Sequence, residues 1–230
     1  MIRRAKFMAL AVVAILMMAA STAGVASAAM TLPEFKNAEN STSASGPGKL
    51  TIEGGASISC KETAGKQSFN AGSKNLGTYT FKFTGCVEGE NKEEPCESLG
   101  GLSGTIEVSG EWHLVLEEKA GTHLWLILFL LPAVDPHITC SGGAPLKLFL
   151  VLGVILGLIE PGPPTAAKEF KLILEAPGGV QKEKSYENNA GTLLETQILL
   201  VGEEGGKEKK AGLEAKEATL KFPVANAIKN

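Results

Sequence analysis

The feature that most constrains the fold is a repeated two-residue alternation of apolar and polar side chains. It is clearest over Thr78–Thr84, where Tyr79, Phe81 and Phe83 alternate with threonine and lysine. Successive side chains of a β-strand point to opposite faces, so this pattern predicts a strand with one apolar face. Shorter alternations, separated by many of the 27 glycines, occur near Ile106, Trp112, Phe170 and Leu220. Together they predict an all-β fold, a sandwich or barrel of short antiparallel strands.

Two longer segments, Leu124–Leu131 and Leu148–Ile159, are apolar almost throughout. A membrane-spanning helix needs about 20 apolar residues, and both segments are shorter. The polar residues Asp135 and His137, with Pro136, lie between them and prevent their joining into one span. We therefore predict two central strands that are buried on both faces. The alternative is a partly exposed apolar patch that contacts a partner or lipid.

The N-terminus has the three parts of a secretory signal peptide over residues 1–28. A positive region with Arg3, Arg4 and Lys6 precedes an apolar run, and the small residues Ala26-Ser27-Ala28 follow it. This pattern predicts a signal-peptide helix, cleavage after Ala28, and a secreted or extracytoplasmic protein. After cleavage we expect no stable membrane span.

The remaining chain divides into two predicted parts. Residues 29–48 are small and polar and predict a flexible leader, and residues 49–230 predict a single β-rich domain. Removing the three positive charges of the signal peptide changes the net charge from −3 to −6. Binding of nucleic acid requires a basic surface, so we predict no nucleic-acid partner.

The four cysteines are Cys60, Cys86, Cys96 and Cys140. An even number in an exported chain predicts two disulfides, for which three pairings exist. Cys86 and Cys96 flank a short polar loop, whereas Cys60 and Cys140 each end a short β-like stretch. We therefore favour Cys86–Cys96 with Cys60–Cys140, while the other two pairings stay open.

No metal or cofactor site is predicted from the sequence. A zinc site that used His137 and Cys140 would lack the paired C-x-x-C arms of structural zinc sites. Calcium loops use closely spaced aspartates, and Asp135 is the only aspartate in the chain.

No catalytic residues are predicted either. Gly101-Leu102-Ser103-Gly104 has its second glycine one position too early for the nucleophile turn of serine hydrolases. His113 and His123 have no neighbouring nucleophile or acid in a known arrangement. The paired glutamates Glu117 and Glu118 are expected to point to solvent.

Several short segments around the cysteines form a pattern of their own. They are Ile58-Ser59-Cys60-Lys61, Phe83-Thr84-Gly85-Cys86, Cys96-Glu97-Ser98, Gly104-Thr105-Ile106 and Ile138-Thr139-Cys140. In these segments the chain resembles a family of uncharacterised exported proteins of Gram-positive soil bacteria. The resemblance implies a secreted β-rich domain with four cysteines, and it implies no activity or binding residue.

These observations predict an exported structural or interaction module of the cell envelope or medium, without catalytic activity. Its partner would be an envelope protein or an apolar ligand. One alternative is a secreted hydrolase that uses His113 or His137 with a glutamate. Another is a protein that binds apolar ligands or lipid through the long apolar strands.

Overall fold

The structure is a computed structural model that describes residues 32–54, 56–89, 94–131, 137–141, 147–163, 165–188, 192–195, 200–203 and 208–229. The predicted signal peptide, its cleavage site and Asp135 lie outside the described residues. Within them the chain forms β-strands and one short 3₁₀ turn at Pro177–Gly179, and it contains no α-helix. The prediction of an all-β fold is confirmed.

Nineteen strands are present in the described ranges. In chain order they are β1 (Glu34–Phe35), β2 (Ser41–Ser45), β3 (Gly48–Ile52), β4 (Ser57–Cys60), β5 (Glu62–Phe69), β6 (Leu76–Thr84), β7 (Val87–Glu88), β8 (Glu94–Ser98), β9 (Thr105–Lys119), β10 (Thr122–Leu130), β11 (His137–Cys140), β12 (Lys147–Leu152), β13 (Val154–Glu160), β14 (Ala167–Leu174), β15 (Ser185–Glu187), β16 (Leu193–Glu195), β17 (Leu200–Glu203), β18 (Lys209–Asn226) and β19 (Ile228–Lys229).

The strand pairings close into a barrel whose strands are all antiparallel to their neighbours. One ring of eight strands runs β2, β5, β6, β9, β10, β13, β14, β18 and back to β2. A second ring runs β3, β4, β7, β8, β11, β12, β17, β18 and back to β3. The rings share β18, which pairs with β2 through Leu220 and with β3 through Leu213. They therefore form two adjoining halves of one barrel.

Glycines allow the chain to pass from one ring to the other. Gly85 separates β6 from β7 with φ of 64°, and Gly153 separates β12 from β13 with φ of 115°. Positive φ values are accessible to glycine at little cost because it has no Cβ. The carbonyl oxygen of Gly153 also accepts a hydrogen bond from the Leu131 N–H at 2.9 Å, which connects this junction to the end of β10.

Strand β10 is buried on both faces. Its Ile127 and Phe129 belong to the large core inside the barrel, whereas Leu126 and Leu128 belong to a separate cluster against which Tyr186 packs. Because neighbouring residues of a strand point to opposite faces, the separate cluster lies on the outer wall. The prediction of a strand buried on both faces is thus confirmed for 126–129. The second predicted strand, Leu148–Ile159, is wrong as one element, because it forms two strands, β12 and β13, of which β13 is buried on both faces over 155–157.

The predicted flexible leader contributes two strands, so that prediction is wrong for residues 34–35 and 41–45. Phe35 is 1% exposed and packs against four aromatic rings, those of Phe69, Trp112, Phe170 and Phe222. These rings come from four different barrel strands, so Phe35 belongs to the core that those strands enclose. Composition suggested a flexible leader because β2 is built from serine, threonine and alanine, yet its backbone pairs with β5 and β18.

Two disulfides are present, as predicted, but their pairing differs from the favoured one. Cys60 is bonded to Cys86, and Cys96 is bonded to Cys140. The physical reason is the strand order. The strand that ends at Cys60 pairs with β7, whereas Cys140 lies opposite Cys96 on β8.

One stretch of the barrel wall is completed by a side chain. β14 ends at Leu174, β17 begins at Leu200, and the Gln181 side chain lies between Leu156 of β13 and Leu213 of β18. Gln181, which is 3% exposed, donates from Nε2 to the Leu156 carbonyl oxygen at 3.4 Å and accepts at Oε1 from the Leu213 N–H at 3.1 Å. Its amide therefore satisfies backbone groups that a strand would otherwise pair.

Candidate ligand cavity in the barrel

The barrel encloses a cavity whose lining is apolar and comes from both rings. Its lining includes Leu50, Ile58, Tyr79, Phe81, Phe129 and Ile155. About 710 Å³ within it is free of protein atoms, including solvent at its mouth, and about 80 Å³ can be reached by the centre of a water molecule. A single water needs only about 10–15 Å³ by the second measure, so the cavity is larger than an ordinary packing defect.

Exposure of the inward-pointing side chains agrees with an open lumen. Phe81, Phe83 and Val108 line the cavity and are only partly buried. On the opposite face of the same strands, Lys82 and Glu107 are exposed and form an ion pair at 3.3 Å. The exposed surface of these inward-pointing side chains therefore faces the cavity.

A second, smaller cavity adjoins the first. About 360 Å³ within it is free of protein atoms, including open solvent. The two cavities share the lining residues Phe81, Phe83, Leu174 and Leu213. The wall of the second also includes Ser43 and Thr63, which makes this end of the lumen partly polar.

Five polar side chains follow the inner faces of β2 and β5; we call them the polar stripe, and they are Ser41, Ser43, Ser45, Thr63 and Gln67. In the register of the two strands, Ser41 lies opposite Gln67 and Ser45 lies opposite Thr63. The Ser41 hydroxyl donates to the Gln67 Oε1 at 2.8 Å, and the Ser45 hydroxyl donates to the Gly46 carbonyl oxygen at 3.1 Å.

Three atoms of the polar stripe are shielded from water and have no hydrogen-bond partner among the described residues. They are the Ser43 Oγ, the Thr63 Oγ1 and the Gln67 Nε2. Unpaired buried polar groups are uncommon because each loses its hydrogen bonds to water on burial. The serine at every second position of β2 is the sequence pattern from which this stripe could have been predicted.

Tyr79 contributes its ring to the cavity while its hydroxyl is used in the wall. The hydroxyl donates to the Leu130 carbonyl oxygen at 3.0 Å, and burial raises the pKa of Tyr79 above its usual range. Gly110 lies opposite Tyr79, and a Cβ at this position would overlap the Leu130 carbonyl and the Tyr79 ring. The absence of a side chain at Gly110 thus permits the hydrogen bond.

Neither cavity is lined by a charged side chain in the described part of the chain. An ion placed there would lose its hydration without gaining an opposite charge, which is costly. An uncharged molecule would lose much less. Chemically, the lumen is therefore suited to apolar surface and to a small number of neutral hydrogen-bonding groups.

The three histidines of the chain lie away from this lumen. His113 is partly buried on the outer face of β9, where it lies opposite Leu128 of β10. His123 Nε2 is 3.9 Å from Glu118 Oε2, and both side chains are exposed beside the β9–β10 turn. His137 lies on β11 opposite Leu150.

Glu117 was expected to point to solvent, but only 5% of its surface is exposed, so that prediction is wrong. It lies on β9 next to Leu116, which pairs with Glu187 of β15, and its Oε1 accepts a hydrogen bond from the Ser185 hydroxyl at 2.5 Å. The neighbouring Glu118 N–H donates to Glu187 Oε1 at 3.1 Å. These carboxylates attach the β15 segment to the barrel.

In the described ranges, no three His, Cys, Asp or Glu side chains come close enough together to hold a metal ion. No helix within those ranges is long and apolar enough to cross a membrane. The chain matches no protein-family model, no curated protein and no solved structure.

Proposed function

We propose that this protein binds a small, predominantly apolar molecule inside the barrel. The observation that supports the proposal is the cavity, with its apolar lining and about 80 Å³ that the centre of a water molecule can reach, several times what one water needs. An eight-stranded barrel can enclose one small ligand. Transfer of apolar ligand surface from water into this lumen would drive binding, at about 25 cal/mol for each Å² buried.

The first test is binding of 1,6-diphenylhexatriene, an uncharged fluorophore whose emission rises when it leaves water. It is titrated into the oxidised, purified chain. Val108→Phe places a larger side chain in the lumen, and we expect its affinity to fall at least tenfold. Ser109→Phe is the matched control, because Ser109 is the next residue on β9 and is exposed on the outer wall. Its affinity should stay within about twofold of the unmodified chain.

Two results would contradict the proposal. One is the absence of any saturable binding by the unmodified chain. The other is unchanged affinity in Val108→Phe when thermal unfolding shows that the variant is folded.

We further propose that the protein acts outside the cytoplasm. The two intramolecular disulfides are compatible with that location. The predicted cleavage after Ala28 is tested by mass spectrometry of the protein recovered from the medium, which should begin within a residue or two of Ala29. An intact Met1 on that protein would contradict export by signal-peptide cleavage.

Two functions expected from the sequence stay predictions. An interaction module of the envelope would need a partner surface, and the exposed leucines Leu99 and Leu102 lie in the turn after β8. A hydrolase would need a histidine and a carboxylate in a polar cleft. The described His123–Glu118 pair is instead exposed beside the β9–β10 turn.

A further inference from the structure

Building on the proposed function, we infer that the ligand is an uncharged amphipathic molecule whose single oxygen group, an alcohol or carbonyl, binds at the polar stripe. The inference concerns the chemical class of the ligand rather than the presence of a site. It depends on where the polar groups of the lumen lie and on which of them have partners.

Ser43, Ser45 and Thr63 of the polar stripe line the second cavity, whose other described lining residues are apolar. On the inner faces of β2 and β5, Ser43 is opposite Gly65 and Thr63 is two residues from Gly65 on the same strand. Side chains at such diagonal positions lie within about 7–8 Å of one another. One ligand oxygen can therefore be reached from both hydroxyls.

The unpaired atoms of the stripe offer complementary hydrogen bonds. The hydroxyls of Ser43 and Thr63 can each donate or accept, and the Gln67 Nε2 can donate. Gln67 is 3% exposed, and its Oε1 is already engaged by Ser41. Of these groups, the hydroxyls belong to residues that line the second cavity, and they can donate to or accept from a ligand oxygen there.

The hydroxyls can reach the second cavity by a local change. Both oxygens are covered, although Ser43 and Thr63 line this cavity with other atoms. Rotation about χ1 between staggered rotamers would turn each oxygen toward the lumen. A ligand oxygen would then supply the hydrogen bonds that these groups lack.

The absence of charged side chains from the described cavity lining disfavours a ligand with an ionised head group. No cation lines either cavity in the described ranges, so a carboxylate at the stripe would be buried without a counter-charge. The hydroxyl of Tyr79 donates to the Leu130 carbonyl and is not free to donate to such a group. A fatty alcohol or ester therefore fits the lumen better than an ionised fatty acid.

The experiment measures displacement of bound diphenylhexatriene by three ligands of equal chain length: 1-octanol, 1-chlorooctane and octanoate at pH 8. Each is compared between the unmodified chain and the double variant Ser43→Ala/Thr63→Val. The ratio of the Kd for octanol to the Kd for chlorooctane should rise about tenfold in the variant, because only octanol loses hydrogen bonds. Thr42→Val, on the exposed face of the same strand, should leave the ratio unchanged.

The possible outcomes separate this inference from the proposed function. If the fluorophore does not bind the unmodified chain, both fail. If all three ligands displace the fluorophore, and the ratio of the Kd for octanol to the Kd for chlorooctane is the same in the unmodified chain and the variant, the stripe does not bind the ligand oxygen. In that case only the inference fails. If octanoate displaced the fluorophore at free concentrations as low as those of octanol, the inference that the ligand is uncharged would be overturned.

Stability supplies a second readout. Removing two unpaired buried hydroxyls should leave the Tm of the ligand-free double variant equal to or above that of the unmodified chain. A variant that fails to fold would show that the hydroxyls are structural, and it would overturn the inference.

Discussion

The Cys96 backbone N–H donates a hydrogen bond to the Cys86 carbonyl oxygen at 2.9 Å. In an antiparallel sheet, a residue that is hydrogen-bonded to one neighbouring strand forms a non-hydrogen-bonded pair with the strand on its other side, where side chains are closer. Cys60 and Cys140 occupy these other sides, at Cα–Cα distances of 4.0 and 4.1 Å from their partners. The direction of one backbone hydrogen bond thus agrees with the pairing of all four cysteines.

This pairing can be tested by peptide mapping. Trypsin cleaves after lysine and places each cysteine on its own peptide, spanning residues 50–61, 83–92, 93–119 and 120–147. Without reductant we expect 50–61 linked to 83–92 and 93–119 linked to 120–147. A linked 83–92/93–119 species in the native protein would contradict the structure.

Leu128→Lys should destabilise the protein strongly. Leu128 is 3% exposed in the cluster on the outer wall, so lysine would be buried there without a counter-charge. Changes of this class cost several kcal/mol, against a typical domain stability of about 5–15 kcal/mol. Leu193→Lys is the control, since Leu193 is 55% exposed and its substitution should change the Tm little. A Leu128→Lys variant with an unchanged Tm would show that the outer cluster is a contact surface.

Gln181→Ala should weaken the barrel at the place where its wall lacks a strand. The substitution leaves the Leu156 carbonyl and the Leu213 N–H without their partner. Each unsatisfied buried group costs about 1–3 kcal/mol, so we expect a loss of roughly 2–4 kcal/mol in urea unfolding. Lys182→Ala, next in sequence and exposed, should lose much less stability than Gln181→Ala, because an exposed ion pair contributes little. Equal losses in the two variants would show that the Gln181 amide does not support the wall.

His113 should make stability depend on pH below neutrality. Burial lowers its pKa, and the nearby Glu111 carboxylate partly offsets this effect. Below the unfolded-state pKa of about 6.5, the unfolded chain therefore binds a proton that the folded chain binds less readily, and the free energy of unfolding decreases as pH falls. The slope from one such proton is at most about 1.4 kcal/mol per pH unit.

The measurement for this prediction is the urea midpoint at pH 8 and pH 5.5. His113→Gln should reduce the difference between the two midpoints, whereas His123→Gln, on an exposed side chain, should leave it close to that of the unmodified chain. An identical difference in His113→Gln and the unmodified chain would mean that other groups cause the pH dependence.

The elements themselves were largely predictable from the sequence. The alternation at Tyr79, Phe81 and Phe83 predicts β6 because side-chain direction in a strand depends only on local backbone geometry. The unbroken apolar run at Leu126–Phe129 predicts burial on both faces for the same local reason. The number of disulfides also follows from composition, since an even cysteine count permits complete pairing.

Relations between distant strands were decided only in the tertiary structure. Cys86 has cysteines on both sides, and which one it bonds depends on the strand order and on the side to which its carbonyl points. The lumen depends likewise on closure of β18 onto β2, which places Ser43 inside the barrel although the sequence predicts a flexible leader there. Local alternation determines which side chains of a strand share a face, whereas long-range pairing determines which residues that face contacts.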